Sequence, residues 1–195
     1  MKIIDILVES AELVGLHRDA VELSVITADE ELEFMQNNEN MSSMFNLLKF
    51  SMRELCTNYV PVSTSKTIVV NNKCFPVAEL NNFIRVLSIF KGENQVKFKV
   101  INRNIVLEED GEYVVNYATY PEINSVFEDV DFLQHFSPDA IVFGLCAYYA
   151  LSHGMFDDFE TFHEQYIEKA ESLKSLKIFE LPARRWEWKI KKLLK

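Results

Sequence analysis

SPDAIVFGLCAYYALSHGMFDDFETFHEQYIEKAESLKSL, residues 137–176, contains two helices and the joint between them. Ser137-Pro138-Asp139 is a helix start, with Ser as the cap and proline at the first helical position, where its missing N–H costs nothing. From there to His153 the stretch is apolar on nearly every side, which predicts a central buried helix over 138–153. Gly144 allows a close helix crossing, and Gly154 ends the helix. A second helix is predicted over 157–176, with Phe159, Phe162, Tyr166, Ala170 and Leu173 as its apolar stripe. The short joint makes the pair an antiparallel αα-hairpin.

Helical periodicity also governs the N-terminus. Ile3, Ile6, Leu7, Leu13 and Val14 lie close to helical spacing over 3–15, and Gly15 is a natural stop. TADEELEFMQ (27–36) begins with a Thr cap and acids in its first turn. After the polar break NNEN, residues 41–57 place Met44, Leu47, Leu48, Met52 and Leu55 on one stripe. This third helix is the longest expected in the N-terminal set.

Between these helical regions the period changes to two. TIVV (67–70) reads as a strand, and residues 77–82 as one helical turn. IRVLSIFKGENQVKFKV (84–100) reads as a hairpin turning at KGEN, with Val96, Phe98 and Val100 on one face of the return strand. INRN makes another turn, NIVLEE a strand, EDGE a further turn, and EYVVNYATY (112–120) is rich in β-formers. Together 66–120 read as an antiparallel meander of four or five short strands. The fold class expected is α+β: a bundle of N- and C-terminal helices with an inserted β meander. Its segments are the N-terminal helices at 1–60, the insert at 61–121, the hairpin at 122–177 and a tail at 178–195.

The composition excludes much. An apolar fraction of 48% is that of a globular chain, and 5 Gly with 5 Pro leave little room for long linkers. Asp5, Glu9 and Glu12 interrupt the first apolar stretch, so no secretory leader is expected, and no 18-residue window lacks charge. Cys56, Cys74 and Cys146 are widely spaced and read as mostly buried thiols in a reducing compartment. No glycine-rich phosphate loop and no GxSxG elbow occurs. His17, His135, His153 and His163 are scattered, although His153 and His163 flank the hairpin turn. Nothing orders Cys56 and His17 as nucleophile and base. Asp157, Asp158 and Glu160 complement a helix dipole. No catalytic residues, cofactor or metal is therefore expected, and the chain does not read as an enzyme.

One feature breaks the pattern. The net charge is -10, yet from Pro182 onward Arg184, Arg185, Lys189, Lys191, Lys192 and Lys195 face a single acid, Glu187. The tail is +5 and the remainder -15. Wound as a helix, 184–195 places Trp186, Ile190, Leu193 and Leu194 at i, i+4, i+7 and i+8. Such a segment can lie on an anionic membrane, touch nucleic acid, dock on an acidic protein surface or pack back on its own body. Shortness and the acidic body weaken the membrane reading, and so small a patch binds nucleic acid weakly. Docking fits best, through Arg184, Arg185, Trp186, Trp188, Lys189, Ile190 and Lys192. Another copy of the chain is the nearest acidic surface, and such heterologous contacts close into rings.

The order of these elements resembles the head–tail adaptor, or connector, proteins of tailed bacteriophages. The resemblance is carried by IIDILVESAELVGL, by the helix-to-strand passage LLKFSMRELCTNYVPV, by GEYVVNYATYP, by the 138–172 hairpin and by LPARRWEWK. Residues 17–40 have no counterpart in it. It implies a non-enzymatic, dodecameric ring in the virion neck, made in the host cytoplasm. Its partners would be the portal protein and a tail or tail-completion protein, with DNA passing through the lumen without specific binding. The arm would meet the portal or a neighbouring subunit. The residues also leave open another class: a cytoplasmic regulatory or adaptor module whose basic amphipathic tail captures an acidic partner or a membrane surface.

Overall fold

The computed structural model describes residues 2–129 and 137–178, with side chains described up to residue 172. Among the described residues the chain is α+β. Helices α1 (Ile3–Leu13), α2 (His17–Val25), α3 (Glu31–Asn37) and α4 (Glu39–Asn58) come first. Seven strands follow: β1 (Val62–Val70), β2 (Cys74–Pro76), β3 (Phe83–Lys91), β4 (Asn94–Gln95), β5 (Lys99–Ile101), β6 (Asn104–Val106) and β7 (Gly111–Thr119). The chain then returns to helix in α5 (Pro138–Ser152) and α6 (Phe156–Ile178).

The helices α1, α4, α5 and α6 form where the spacing of apolar residues demands it. α1 buries Ile3, Ile6, Leu7 and Ala11, and the chain reverses at Gly15, whose φ of 83° favours glycine. α5 buries residues all round, from Ala140 and Ile141 to Tyr149 and Ala150, and is the central helix of the bundle. Its entry has the expected Ser137-Pro138 pair, but the Ser137 side chain makes no capping bond; its carbonyl accepts from the Ala140 N–H at 3.0 Å. Gly144 is where helices close in: a Cβ there would lie 2.6 Å from Ser51 Oγ of α4 and 3.0 Å from the Tyr166 ring of α6.

Three N-terminal details differ from expectation, the first being α2 itself, a helix over His17–Val25 where none was expected. Thr27 does not cap a helix at 27; its N–H and hydroxyl both donate to the Glu30 carboxylate at 2.9 Å, and α3 begins at Glu31. The NNEN break is a single residue wide. Asn38 caps α4, its Oδ1 accepting from the Met41 N–H at 3.0 Å, so α4 starts at Glu39. Asp19 on α2 ties the pair down by accepting from the Asn38 and Asn40 amides at 3.0 and 2.9 Å.

The β insert is antiparallel throughout but is not a sequential meander. It forms two sheets, β1-β7-β3-β4 and β2-β6-β5. β7 pairs with β1 from Val62↔Thr119 to Val70↔Gly111 on one side and with β3 on the other. Two-residue turns with left-handed backbone, Asn72-Lys73 and Asn102-Arg103, reverse the chain at positions where tight hairpins need positive φ. The return strand of the 84–100 hairpin is short: β4 ends at Gln95, and Val96 and Phe98 turn into the core while Val100 is exposed. Irregular register between Phe83/Arg85 and Val86/Ser88 resets the simple alternation of β3, so Ile89 is buried and Leu87 is exposed.

Each region has its own core. The helical core gathers α1, α2, α4, α5 and α6 with Ile123 and Val126, and the β core gathers Ile68, Val70, Phe75, Ile89, Ile105, Tyr113 and Val115 among others. Val62, Ile84 and Tyr120 pack against the helical core and join the two. The segment after β7 is held beside α1 and α3. The Ile4 N–H donates to the Val126 carbonyl at 2.8 Å, and Glu31 accepts from the Val126 N–H at 2.8 Å and the Ser125 hydroxyl at 2.6 Å.

Candidate functional site

The predicted docking residues, Arg184, Arg185, Trp186, Trp188, Lys189, Ile190 and Lys192, lie outside the described residues. So does His135. What the structure does describe is the helix that leads into them and the surface that helix presents.

α6 has two faces. Tyr166 and Ala170 are fully buried, with Phe162 and Ile167 packed beside them. On the outer side stand Asp157, Glu160, Glu164, Glu168 and Glu171, all exposed. Their separations of three, four, four and three residues keep them within one arc of the helix. The row runs for about 21 Å at 1.5 Å per residue. Asp158 is exposed beside it, and Phe156, 67% exposed, stands at its N-terminal end. None of these six acids makes an ion pair among the described residues. Lys169 sits off the row and reaches Asp139 of α5 at 3.8 Å. The dipole reading covered only Asp157, Asp158 and Glu160. The longer row was legible as a second 3–4 periodicity offset from the Phe159–Tyr166–Ala170 stripe, and sequence reasoning passed over it.

A second cluster lies where α4, α5 and α6 meet. Glu54 Oε2 accepts from the Tyr166 hydroxyl at 2.8 Å and from the Tyr148 hydroxyl. Burial is the main cause that raises both phenols above their ordinary range, and the bond to Glu54 raises them further. Tyr59 stacks edge-on against Tyr166 at 6.0 Å, and burial raises its phenol too. Phenols held protonated against a carboxylate pin three helices together. They do not supply a base or a nucleophile.

The remaining candidates are not brought together as a reactive set. Cys56 is buried in the helical core, whereas His17 is exposed at the start of α2. Cys146 is buried, with its thiol against the Ser10 carbonyl at 3.6 Å, and burial pushes it up to about 12. Cys74 is exposed while Cys56 and Cys146 are buried, in line with the expectation of mostly buried thiols. His153 stacks on Tyr149 with centroids 4.0 Å apart, and His163 on Phe159 at 5.1 Å, so each is occupied within its own helix. Among the described residues no group of three His, Cys, Asp or Glu could hold a metal ion. An open cleft between α3 and α4, lined by Met35, Gln36, Glu39, Ser42, Ser43 and Asn46, offers one carboxylate and no partner for it.

No protein-family model matches the sequence, and no curated protein matches it.

Proposed function

We propose that the chain is a structural subunit of a ring, a head–tail connector of a tailed bacteriophage, whose C-terminal arm docks on an acidic protein surface. The observation that carries this reading is the opposition of charge: a +5 tail with both of the chain's tryptophans on a body of -15. An object so polarised attracts its own copies head to tail, and heterologous contacts of that kind close into rings. The α+β architecture supports the reading, because helices before and after an antiparallel β insert are the order the resemblance implies. An acidic body also suits a channel through which DNA slides without sticking. In this reading the chain is not an enzyme, takes no cofactor, and meets a portal protein and a tail-completion protein. Among the described residues no helix is long and apolar enough to cross a membrane.

Deletion of Arg184–Lys195 tests the arm. The body should stay folded, because both cores are built upstream, and joining of subunits to one another and to a portal ring should be lost. In the full chain, Trp186→Ala with Trp188→Ala should weaken joining by ~2 kcal/mol or more, as truncation of buried interface tryptophans does. Unchanged affinity in the deletion variant contradicts the docking role. Capture of the arm by anionic vesicles instead of protein would favour a membrane-directed adaptor over the ring.

A further inference from the structure

We infer that in the isolated subunit the arm, residues 184–195, docks along the exposed acidic face of α6 of its own chain. The inference rests on the reading of the tail as a docking arm and adds the surface it occupies before assembly. The face is unpartnered: Asp157, Glu160, Glu164, Glu168 and Glu171 make no ion pair among the described residues, and the row carries five negative charges. The arm carries six positive charges and one negative. The length of chain beyond α6 fits. α6 ends at Ile178, and 179–183 separate it from Arg184, with Pro182 placed to stop a continuing helix. The joint from α5 to α6 reverses the chain in fewer residues, from Ser152 to Phe156. Glu171 lies seven residues, about 10 Å, before the end of α6, so the linker runs back extended over that distance, and twelve residues then returning antiparallel as a helix cover about 18 Å of the about 21 Å acidic row. Leu193 and Leu194 then fall near the N-terminal end of the row, towards the exposed Phe156. A tether of five residues gives the own-chain contact an effective concentration on the order of millimolar, above that of any second copy in dilute solution.

Trp186 and Trp188 are the chain's only tryptophans, so their fluorescence reports the arm alone. The full-length protein is diluted until it runs as a monomer, and its emission and acrylamide quenching are compared with those of a synthetic 179–195 peptide. Expected are a blue-shifted emission and several-fold weaker quenching than in the peptide, both unchanged on further dilution. The variant E160Q/E164Q/E168Q/E171Q should regain peptide-like quenching while keeping its circular dichroism and urea midpoint. The control E93Q/E108Q/E112Q, on the β insert, should remain protected. Peptide-like quenching in the monomeric protein overturns the inference. Protection that appears only as concentration rises assigns the arm to a second copy and overturns it as well. Protection that ignores the α6 substitutions places the arm elsewhere and overturns the surface. None of these results decides the assembly assay of the Arg184–Lys195 deletion, so failure here and failure of the docking arm are told apart.

Discussion

Gly144 is the residue on which the packing of α4, α5 and α6 turns. An added methyl would meet Ser51 Oγ at 2.6 Å and the fully buried Tyr166 ring at 3.0 and 3.1 Å. Overpacking of this kind costs about 1–3 kcal/mol, and the better helix propensity of alanine returns at most ~1 kcal/mol. Gly144→Ala should therefore lower the urea midpoint. Among the described residues Ser51 Oγ is buried without a hydrogen-bond partner, so Ser51→Ala should be neutral or stabilising, and adding it to Gly144→Ala should recover part of the loss. Strictly additive single and double variants would mean that the two side chains do not compete for this space. Alkaline pH probes the same region. Tyr166, Tyr148 and Cys146 have folded-state pKa values raised above ordinary values of 10.0 and 9.0. The unfolded chain loses these protons first, so the stability they contribute is intact below pH 9 and falls as pH rises through the range above it. Each such group adds a slope of up to about 1.4 kcal/mol per pH unit. Tyr166→Phe should flatten the fall of the urea midpoint above pH 10, and an unchanged slope would contradict the assignment.

At the scale of elements, the segment 121–129 is held by a carboxylate as well as by the burial of Ile123 and Val126 in the helical core. Glu31 receives both the Val126 N–H and the Ser125 hydroxyl, and the Val126 carbonyl in turn receives the Ile4 N–H. Hydrogen bonds to a charged group are worth about 1.5–3 kcal/mol when one partner is removed. Glu31→Ala should lose an amount in that range and speed hydrogen exchange at Ile4 and Val126, leaving β7 protected. Exchange raised equally in β7 would show global rather than local loosening. The elements themselves were unevenly legible. The α5–α6 hairpin and α4 could be read because long apolar periodicities dominate them. α2 was missed because a nine-residue helix that buries only Ala20 and Leu23 has almost no periodic signal. Most of the β region was found, but β2 (Cys74–Pro76) was not read as a strand, the return strand over 96–100 is split into β4 and β5, and the strand order was not read. β1 pairs with β7 across more than forty residues, and no local pattern records such a partner. The bulged register of β3 defeated alternation for the same reason: the partner strand, not the strand itself, sets which side Leu87 and Ile89 take.

For the whole molecule, charge is the organising quantity. Sequence alone showed the basic arm, because six cations after Pro182 stand out against an acidic chain. The surface that would receive it was legible too, because the helix expected over 157–176 winds the five acids into one row at 3.6 residues per turn, but the stronger apolar stripe of the same helix masked that second periodicity. If charge steers the arm and burial of Trp186 and Trp188 holds it, salt should slow docking more than it loosens the docked state, because exposed charges are screened within about 10 Å at 0.1 M. The proposed role requires this bipolar chain to close into a ring through its arm. Native mass spectrometry of the full-length protein, alone and with a portal ring, beside the Arg184–Lys195 deletion, tests it most directly. Closed dodecameric rings are expected from the full chain and folded monomers from the deletion. A full chain that stays monomeric in the presence of the portal, or a deletion variant that still forms the same ring, would contradict it.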